Sequence, residues 1–149
     1  MNRYGQILGT IGLLLVVLFS GCAKQPINSD VEGFWYLERF TTLEDGEIHE
    51  SERIYYGITR YVVEVSEKQG PQGYGAFIGR FAYGDDGKKV IMSEFKERKT
   101  TGDNGKDATL EELKPFGIGA LETVFDIVKA DGKHLILESD YARLELSRF

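Results

Sequence analysis

The stretch GAFIGRFAYGDDGKKVIMSEFK, residues 75–96, decides the fold of this chain. Two runs rich in aromatic and β-branched residues surround Asp86-Gly87, and such a dipeptide adopts the positive φ angles of a type I′ turn at little cost. The pattern predicts a β-hairpin with strands at 75–84 and 88–96. The register of this hairpin then determines which side chains share a face.

The predicted turn pairs Tyr83 with Val90, Phe81 with Met92 and Gly79 with Glu94. Because side chains alternate across a strand, one face of the hairpin carries Phe77, Gly79, Phe81, Tyr83, Val90, Met92 and Glu94. That face is apolar except for Glu94, so we expect it to line the interior, with Gly79 leaving space for the carboxylate. A register slipped by one residue is the alternative, and it would place Glu94 in solvent.

Similar short runs, separated by turn signals, fill the chain from residue 31 to residue 149. Besides the hairpin, the expected strands cover residues 33–40, 52–56, 60–68, 121–129, 133–139 and 141–149, the second and third being two strands or one strand bent at Gly57. Asp131-Gly132 supplies a second hairpin turn. The 18 glycines and 12% aromatic residues fit strands joined by tight turns. The predicted fold class is all-β, an antiparallel meander barrel of about eight strands.

One late segment departs from the strand pattern: DATLEELKPFG, residues 107–117. Asp107 or Thr109 can cap a helix, Glu112 stands three residues after Thr109 as in a capping box, and Pro115 ends the pattern. The segment predicts one short helix of one or two turns. It either covers one end of the barrel with its leucines facing inward, or lies on the surface as a linker.

An apolar run ends at the only cysteine of the chain, in LLLVVLFSGCAKQ, residues 13–25. Arg3 precedes this run, which covers residues 7–19 and is shorter than the ~20 residues that a transmembrane helix needs. A positive start, a short apolar run and small residues at the cut predict a signal peptide over residues 1–21.

Ser20-Gly21-Cys22 resembles the lipobox of bacterial lipoproteins, although Phe19 stands where leucine is usual. The resemblance implies that Cys22 is acylated, with a diacylglycerol and usually an amide-linked chain such as palmitate, and becomes the mature N-terminus. Residues 22–30 then form a lipidated tether and residues 31–149 the barrel domain. An incidental free thiol is the alternative.

The lipid anchor predicts a place in the cell envelope. Ala23 follows the cysteine, where some bacteria use aspartate to retain lipoproteins at the inner membrane, so we expect the outer membrane, on its periplasmic side or at the cell surface. Removing residues 1–21 removes Arg3 and changes the net charge from −6 to −7. Such an acidic chain repels phosphate backbones, which excludes nucleic acid as a partner.

Gly33-Phe34-Trp35 resembles the G-x-W motif that opens the first strand of lipocalins. The central hairpin is similar to that of small lipocalin-like (calycin-type) bacterial lipoproteins, in which a glycine-x-aromatic strand, here Gly79-Arg80-Phe81, is answered by a glutamate, here Glu94. The resemblance covers about residues 31–149. A short helix between late strands, instead of a long helix after the barrel, departs from the transport lipocalins.

The lipocalin resemblance assigns a structural role to Trp35. It implies that the indole packs at the closed end of the barrel, beneath an arginine of the last strand, for which Arg143 and Arg148 are the candidates. Cation–π stacking of that kind contributes roughly 0.5–2 kcal/mol.

The sequence offers no convincing catalytic motif. His49 lies in HESER, which lacks the second histidine of H-E-x-x-H, and the other histidine, His134, stands alone. EDGE (44–47) and GDDGKK (84–89) could hold calcium, but aspartate–glycine turns explain both. We therefore expect no enzyme, no metal and no cofactor, with a hydrolase built on paired carboxylates as the remaining enzymatic alternative.

The predicted function is binding of a small, largely apolar ligand in the barrel of a membrane-anchored lipoprotein. The candidate ligand-binding residues are Tyr61, Phe77, Phe81, Tyr83, Met92 and Glu94. A buried Glu94 carboxylate needs a partner, which could be the ligand, Arg39 or trapped water. The alternative is an accessory component of an outer-membrane uptake or envelope complex, with a solid barrel that binds a protein partner.

Overall fold

The computed structural model of the protein describes residues 25–149. Within this range the strands are β1 (Gly33–Thr42), β2 (Ile48–Glu50), β3 (Ile54–Ile58), β4 (Val62–Glu67), β5 (Ala76–Gly84), β6 (Lys89–Lys99), β7 (Gly102–Asp107), β8 (Glu122–Ala130), β9 (His134–Glu138) and β10 (Ala142–Arg148). One α-helix, α1 (Leu110–Leu113), continues into a 3-10 turn at Lys114–Phe116. The predicted signal peptide and Cys22 lie outside the described residues. No helix of the described part is long and apolar enough to cross a membrane.

Eight of the strands close into an antiparallel barrel in the order β1, β3, β4, β5, β6, β8, β9 and β10, and β10 pairs with β1. The predicted meander barrel is thereby confirmed. The region around Gly57 forms two strands, β3 and β4, rather than one bent strand. The short strands β2 and β7, which the sequence pattern did not indicate, extend the edges of β1 and β6.

The central hairpin turn forms where it was predicted. Asp86 and Gly87 have φ angles of 53° and 85°, and Lys88 N donates to Asp85 O at 3.1 Å. Tyr83 therefore faces Val90 across the hairpin, and Phe81 faces Met92.

The second hairpin turns one residue later than predicted. Asp131 N donates to His134 O at 3.2 Å, which leaves Gly132 and Lys133 as the central pair. The Asp131 carboxylate fixes this turn, since it accepts the N–H groups of Lys133 and His134 at 2.9 and 2.6 Å.

The predicted pairing of Gly79 with Glu94 is wrong. Arg80 faces Ser93 as the turn requires, but Ile78 already faces Lys96, so β6 holds one extra residue between these pairs. Glu94 lies within this irregularity with φ at 53°, as expected at a β-bulge. The bulge reverses the alternation beyond Ser93 and turns Glu94 outward.

The bulge also explains the glycine in β5. A Cβ atom on Gly79 would lie 2.8 Å from Cδ1 of Phe95, which is buried. The glycine thus leaves space for a phenylalanine ring and not for a carboxylate. The Glu94 carboxylate pairs with Arg80 Nε at 2.7 Å on the outer surface, where its side chain is 63% exposed.

The helix covers one end of the barrel. Thr109 caps it through the predicted capping box, and Glu112 returns the reciprocal hydrogen bond. Leu113 and Phe116 are fully buried in the core. The surface-linker alternative is therefore wrong. We call this end, where β1 ends and β3 begins, the mouth, and the opposite end, where β1 begins and β10 ends, the closed end.

Candidate functional site at the barrel mouth

The barrel interior is filled by large side chains. Phe77, Phe81 and Met92, predicted as ligand walls, are 4%, 2% and 0% exposed and belong to the hydrophobic core. Open depressions of about 380–490 Å³ lie on the surface of the described residues, and the linings of these depressions do not include the three side chains. The prediction that they face inward is confirmed, but they pack against one another as core residues.

The Tyr83 side chain is only partly buried on the inner face of the barrel. Its ring packs edge-to-face on Phe81 with centroids 5.2 Å apart, and its hydroxyl donates to Glu32 Oε2 at 2.9 Å. Burial raises the pKa of Tyr83, and the hydrogen bond to Glu32 raises it further. The tyrosine is therefore a protonated donor that links β5 to the chain entering β1.

Two of the predicted site residues lie elsewhere on the surface. Tyr61 is 59% exposed in the turn between β3 and β4, outside the interior. Glu94 lies on the outside of β6 for the reason given above. Arg39, considered as an internal partner of Glu94, pairs instead with Glu50 at 3.3 Å and Glu145 at 3.6 Å. The predicted constellation is therefore not assembled.

The closed end has the predicted arrangement around Trp35. The indole is fully buried, and Nε1 donates to Val31 O at 2.8 Å. Arg148 stacks on it with Cζ 4.1 Å from the ring centroid. The same guanidinium donates to the carbonyl oxygens of Ser29, Glu32 and Gly132 at 2.8–3.0 Å. The contacts tie the N-terminal segment to the last strand.

The other candidate arginine does not take part in this stacking. Arg143 pairs with Glu138 at 3.1 Å on the sheet surface. The glycine of the G-x-W motif also has a clear reason, because a Cβ atom on Gly33 would collide with the guanidinium of Arg148. The motif is thus a packing device of the closed end.

A groove of about 420 Å³ opens at the mouth. Its lining residues are Phe40, His49, Glu50, Ser51, Glu52, Ile54, Gln72, Tyr74, Glu111, Lys114, Pro115 and Tyr141. They come from β1, β2, β3, the loop before β5, the helical segment and the turn before β10. We call this set the mouth groove. Its volume lies within the range of small-molecule sites, roughly 300–1,000 Å³.

Short local structures position the walls of the mouth groove. β2 pairs with β1 so that His49 stacks on Phe40, with centroids 4.5 Å apart and an interplanar angle of 15°. The Glu67 carboxylate accepts the N–H groups of Gln72, Gly73 and Tyr74 at 2.7–3.2 Å. These bonds hold the loop that places Tyr74, 38% exposed, over the groove.

The polar groups of the mouth groove are of both signs. His49 Nε2 lies 3.3 Å from Thr42 Oγ1 and 4.0 Å from Glu47 Oε2, and Lys114 Nζ lies 2.8 Å from Glu111 Oε1. Within residues 25–149 the buried Ser51 hydroxyl has no hydrogen-bond partner.

The two acidic loops considered for calcium serve as turns. Asp45 accepts the Thr42 hydroxyl at 2.5 Å and Glu47 N at 3.0 Å, and these bonds lower the pKa of Asp45. In the part of the chain that the structure describes, no group of three or more His, Cys, Asp or Glu side chains is arranged to hold a metal ion.

A family model described as a lipocalin-like domain matches residues 17–149. The chain belongs to this lipocalin-like family. This lipocalin-like domain is similar to a lipocalin-like protein from Bacteroides uniformis, at 14% identity and a TM-score of 0.58 over 80% of this chain and 99% of that chain. It is also similar to an uncharacterized protein from Bacteroides eggerthii, at 16% identity and a TM-score of 0.59 over 79% and 98% of the two chains. At such identities the likeness concerns the fold. No curated protein matches the lipocalin-like chain.

The mouth groove was not found from the sequence. Its residues are spread from Phe40 to Tyr141, and no motif joins them. Residues 43–50 read as a loop, although Ile48–Glu50 forms the strand that carries His49. Two local patterns mark parts of its walls: the capping box at Thr109 and the turn residues around Gly73. Neither pattern indicates that the two segments lie side by side in the folded chain.

Proposed function

We propose that the protein is a lipid-anchored, non-enzymatic binding domain of the cell envelope that holds a small amphipathic molecule in the mouth groove. The observation that carries the proposal is the convergence of aromatic and polar side chains in one concave site at the mouth of a lipocalin-like barrel. Barrel mouths are among the preferred positions of small-molecule sites. The proposal moves the ligand from the barrel interior, where the sequence placed it, to the rim.

The lining of the groove favours a ligand with an apolar body and a polar end. Phe40, Ile54 and Tyr74 offer apolar and aromatic surface, and aromatic groups contribute both area and stacking geometry. His49 and Lys114 offer hydrogen-bond donors at the same groove. A purely apolar ligand would displace water from these polar groups without replacing its hydrogen bonds, which costs free energy.

The test uses an amphipathic fluorophore, anilinonaphthalene sulfonate, titrated into the purified protein. We expect binding that weakens in the Tyr74→Ala variant by about five- to tenfold, the effect of losing about 1–1.4 kcal/mol of contact. The control is Val128→Ala, because Val128 is also exposed, at 48%, but lies on β8 outside the mouth groove. Equal affinity in both variants, or no binding to the parent, would contradict the proposal.

An aromatic cluster on the outside of the barrel favours a second role, as an interaction component of an envelope complex. Phe34 stacks on Tyr55 with centroids 5.5 Å apart, and Phe149, 75% exposed, packs edge-on against both. Aromatic side chains are enriched at protein interfaces. A parent protein that binds no fluorophore, together with a Phe149→Ala variant that no longer co-purifies with an envelope protein held by the parent, would favour this role.

A further inference from the structure

Exposed apolar side chains surround the point where the chain enters the barrel. Ile27, Tyr61 and Val62 are 54%, 59% and 39% exposed at the closed end. Together with Pro26 and Arg60, the two β3–β4 residues Tyr61 and Val62 line an open depression of about 490 Å³. We call Ile27, Arg60, Tyr61 and Val62 the tether surface.

We propose that the tether surface docks on the phospholipid bilayer to which Cys22 is anchored. This inference rests on the lipid anchoring that forms part of the proposed function. Pro26, which lines the depression, follows Cys22 by four positions, and an extended chain spans at most about 3.6 Å per residue, so Pro26 lies within roughly 14 Å of the acylated cysteine. The tether is too short to hold this end far from the headgroups.

The side chains of the tether surface suit the interface between lipid and water. Tyrosine is enriched there because its ring is apolar and its hydroxyl is polar. The Arg60 guanidinium lies over the Tyr61 ring, with Cζ 5.4 Å from the ring centroid. A guanidinium fits the geometry of a phosphate group. The pair therefore offers an aromatic anchor beside a cation that can pair with a lipid phosphate.

The acid within the depression does not oppose this contact. Glu32 is 8% exposed, and its carboxylate accepts Asn28 N at 2.8 Å and the Tyr83 hydroxyl at 2.9 Å. Its charge is therefore held inside the fold rather than presented to lipid phosphates.

The β5–β6 turn at the same end carries Asp85 and Asp86, both exposed. Since lipid phosphates repel these residues, we expect the barrel to tilt so that the Tyr61 side approaches the bilayer and the β5–β6 turn stays in water.

The β3–β4 turn presents Tyr61 from a fixed backbone. Tyr61 O accepts Phe81 N at 3.0 Å, and Thr59 N donates to Val62 O at 2.9 Å. Docking therefore needs no rearrangement of the turn. Because the closed end and the mouth are opposite ends of one barrel, docking of the tether surface directs the mouth groove away from the membrane, where a dissolved ligand reaches it.

The experiment uses the lipidated full chain reconstituted into phosphatidylcholine vesicles with bromine on the acyl chains, which quenches tryptophan by contact. Tyr61→Trp places a probe on the tether surface, and Tyr74→Trp is the matched control at the mouth. The native Trp35 is fully buried, so the parent protein supplies the background. We expect loss of most of the added emission in Tyr61→Trp and none in Tyr74→Trp. Equal quenching of both probes, or an unquenched Tyr61→Trp in vesicle-bound protein, would overturn the docking.

Fatty-acid labelling separates this result from failure of the anchor. The parent should incorporate label and the Cys22→Ala variant should not. A labelled, vesicle-bound protein with an unquenched Tyr61→Trp probe contradicts docking alone. A parent that incorporates no label contradicts the anchoring, and the docking proposal falls with it.

Discussion

Different kinds of interaction stabilise the two ends of the barrel. At the closed end, the Arg148 guanidinium stacks on Trp35 and donates hydrogen bonds to three backbone carbonyl oxygens. At the mouth, Leu113 and Phe116 enter the core as an apolar plug, and one hydrogen bond, from Tyr56 to Phe116 O, ties the plug to the sheet.

The difference shows which end is free to bind. At the closed end, the Arg148 guanidinium already binds the three carbonyl oxygens around it, so these groups are not free to bind a ligand. The mouth keeps Tyr74 38% exposed over the groove. The mouth thus still has surface to offer a ligand.

The largest effect should come from Trp35→Ala, which breaks the closed end. It removes a fully buried indole, leaves Val31 O without its donor and takes away the ring under Arg148. We expect a loss of about 3–5 kcal/mol in the free energy of unfolding, measured by urea denaturation. The neighbouring Phe34→Ala, on the outside of the same strand, should cost about 1 kcal/mol. Similar losses for both variants would contradict the claim that Trp35 stabilises the closed end more than its neighbour does.

A smaller effect should follow from Tyr56→Phe, which releases the plug at the mouth. The Tyr56 side chain is fully buried, burial raises its pKa, and its hydroxyl donates to Phe116 O at 2.5 Å. Its loss leaves a buried carbonyl unpaired, at a cost of about 1–3 kcal/mol in the free energy of unfolding. Tyr36→Phe is the matched control, because that hydroxyl bonds Ser51 O at 3.2 Å in a partly buried position. An equal effect of the control would mean that the plug is held by apolar contacts alone.

The smallest effect concerns the exposed turn at the closed end. Backbone N–H groups of His134 and Lys133 hold the pKa of Asp131 far below its usual range. The stabilisation from this carboxylate is therefore fully present above the unfolded-state pKa, about 4, and is lost as the pH falls toward the folded-state value.

The Asp131→Asn variant keeps an acceptor but cannot titrate. Between about pH 6 and pH 3 it should lose less unfolding free energy than the parent, as urea denaturation at the two pH values will show. Parallel pH profiles would mean that the carboxylate adds nothing beyond an amide oxygen.

The same contrast separates what was predictable from what was not. The closed end follows from local motifs: Gly33 and Trp35 lie in one triplet, and the hairpin turn at Asp86-Gly87 is a two-residue signal. The mouth groove combines residues from Phe40 to Tyr141, which only the closed barrel brings together. Its prediction would have required knowledge of pairs far apart in the chain.

The bulge in β6 shows the limit of alternation. Phe77 and Phe81 were correctly predicted to face inward because β5 alternates without interruption, and Met92 because the turn fixes its pairing with Phe81. Glu94 was wrongly predicted to do so, because one extra residue reverses every later side chain. The sequence contains the reason, since Phe95 needs the space beside Gly79, but only the packed core shows that the ring enters it.

By itself, the sequence determined the fold class, the capped helix and the central hairpin turn, because each depends on residues close in the chain or on a simple period. The role of Trp35 came from the lipocalin resemblance of its motif. The tertiary structure alone decided the register beyond the bulge, the choice of Arg148 over Arg143, the filling of the interior and the groove at the mouth. These depend on volumes and distances between strands that meet only when the barrel closes, and the packing of a core settles them collectively rather than residue by residue.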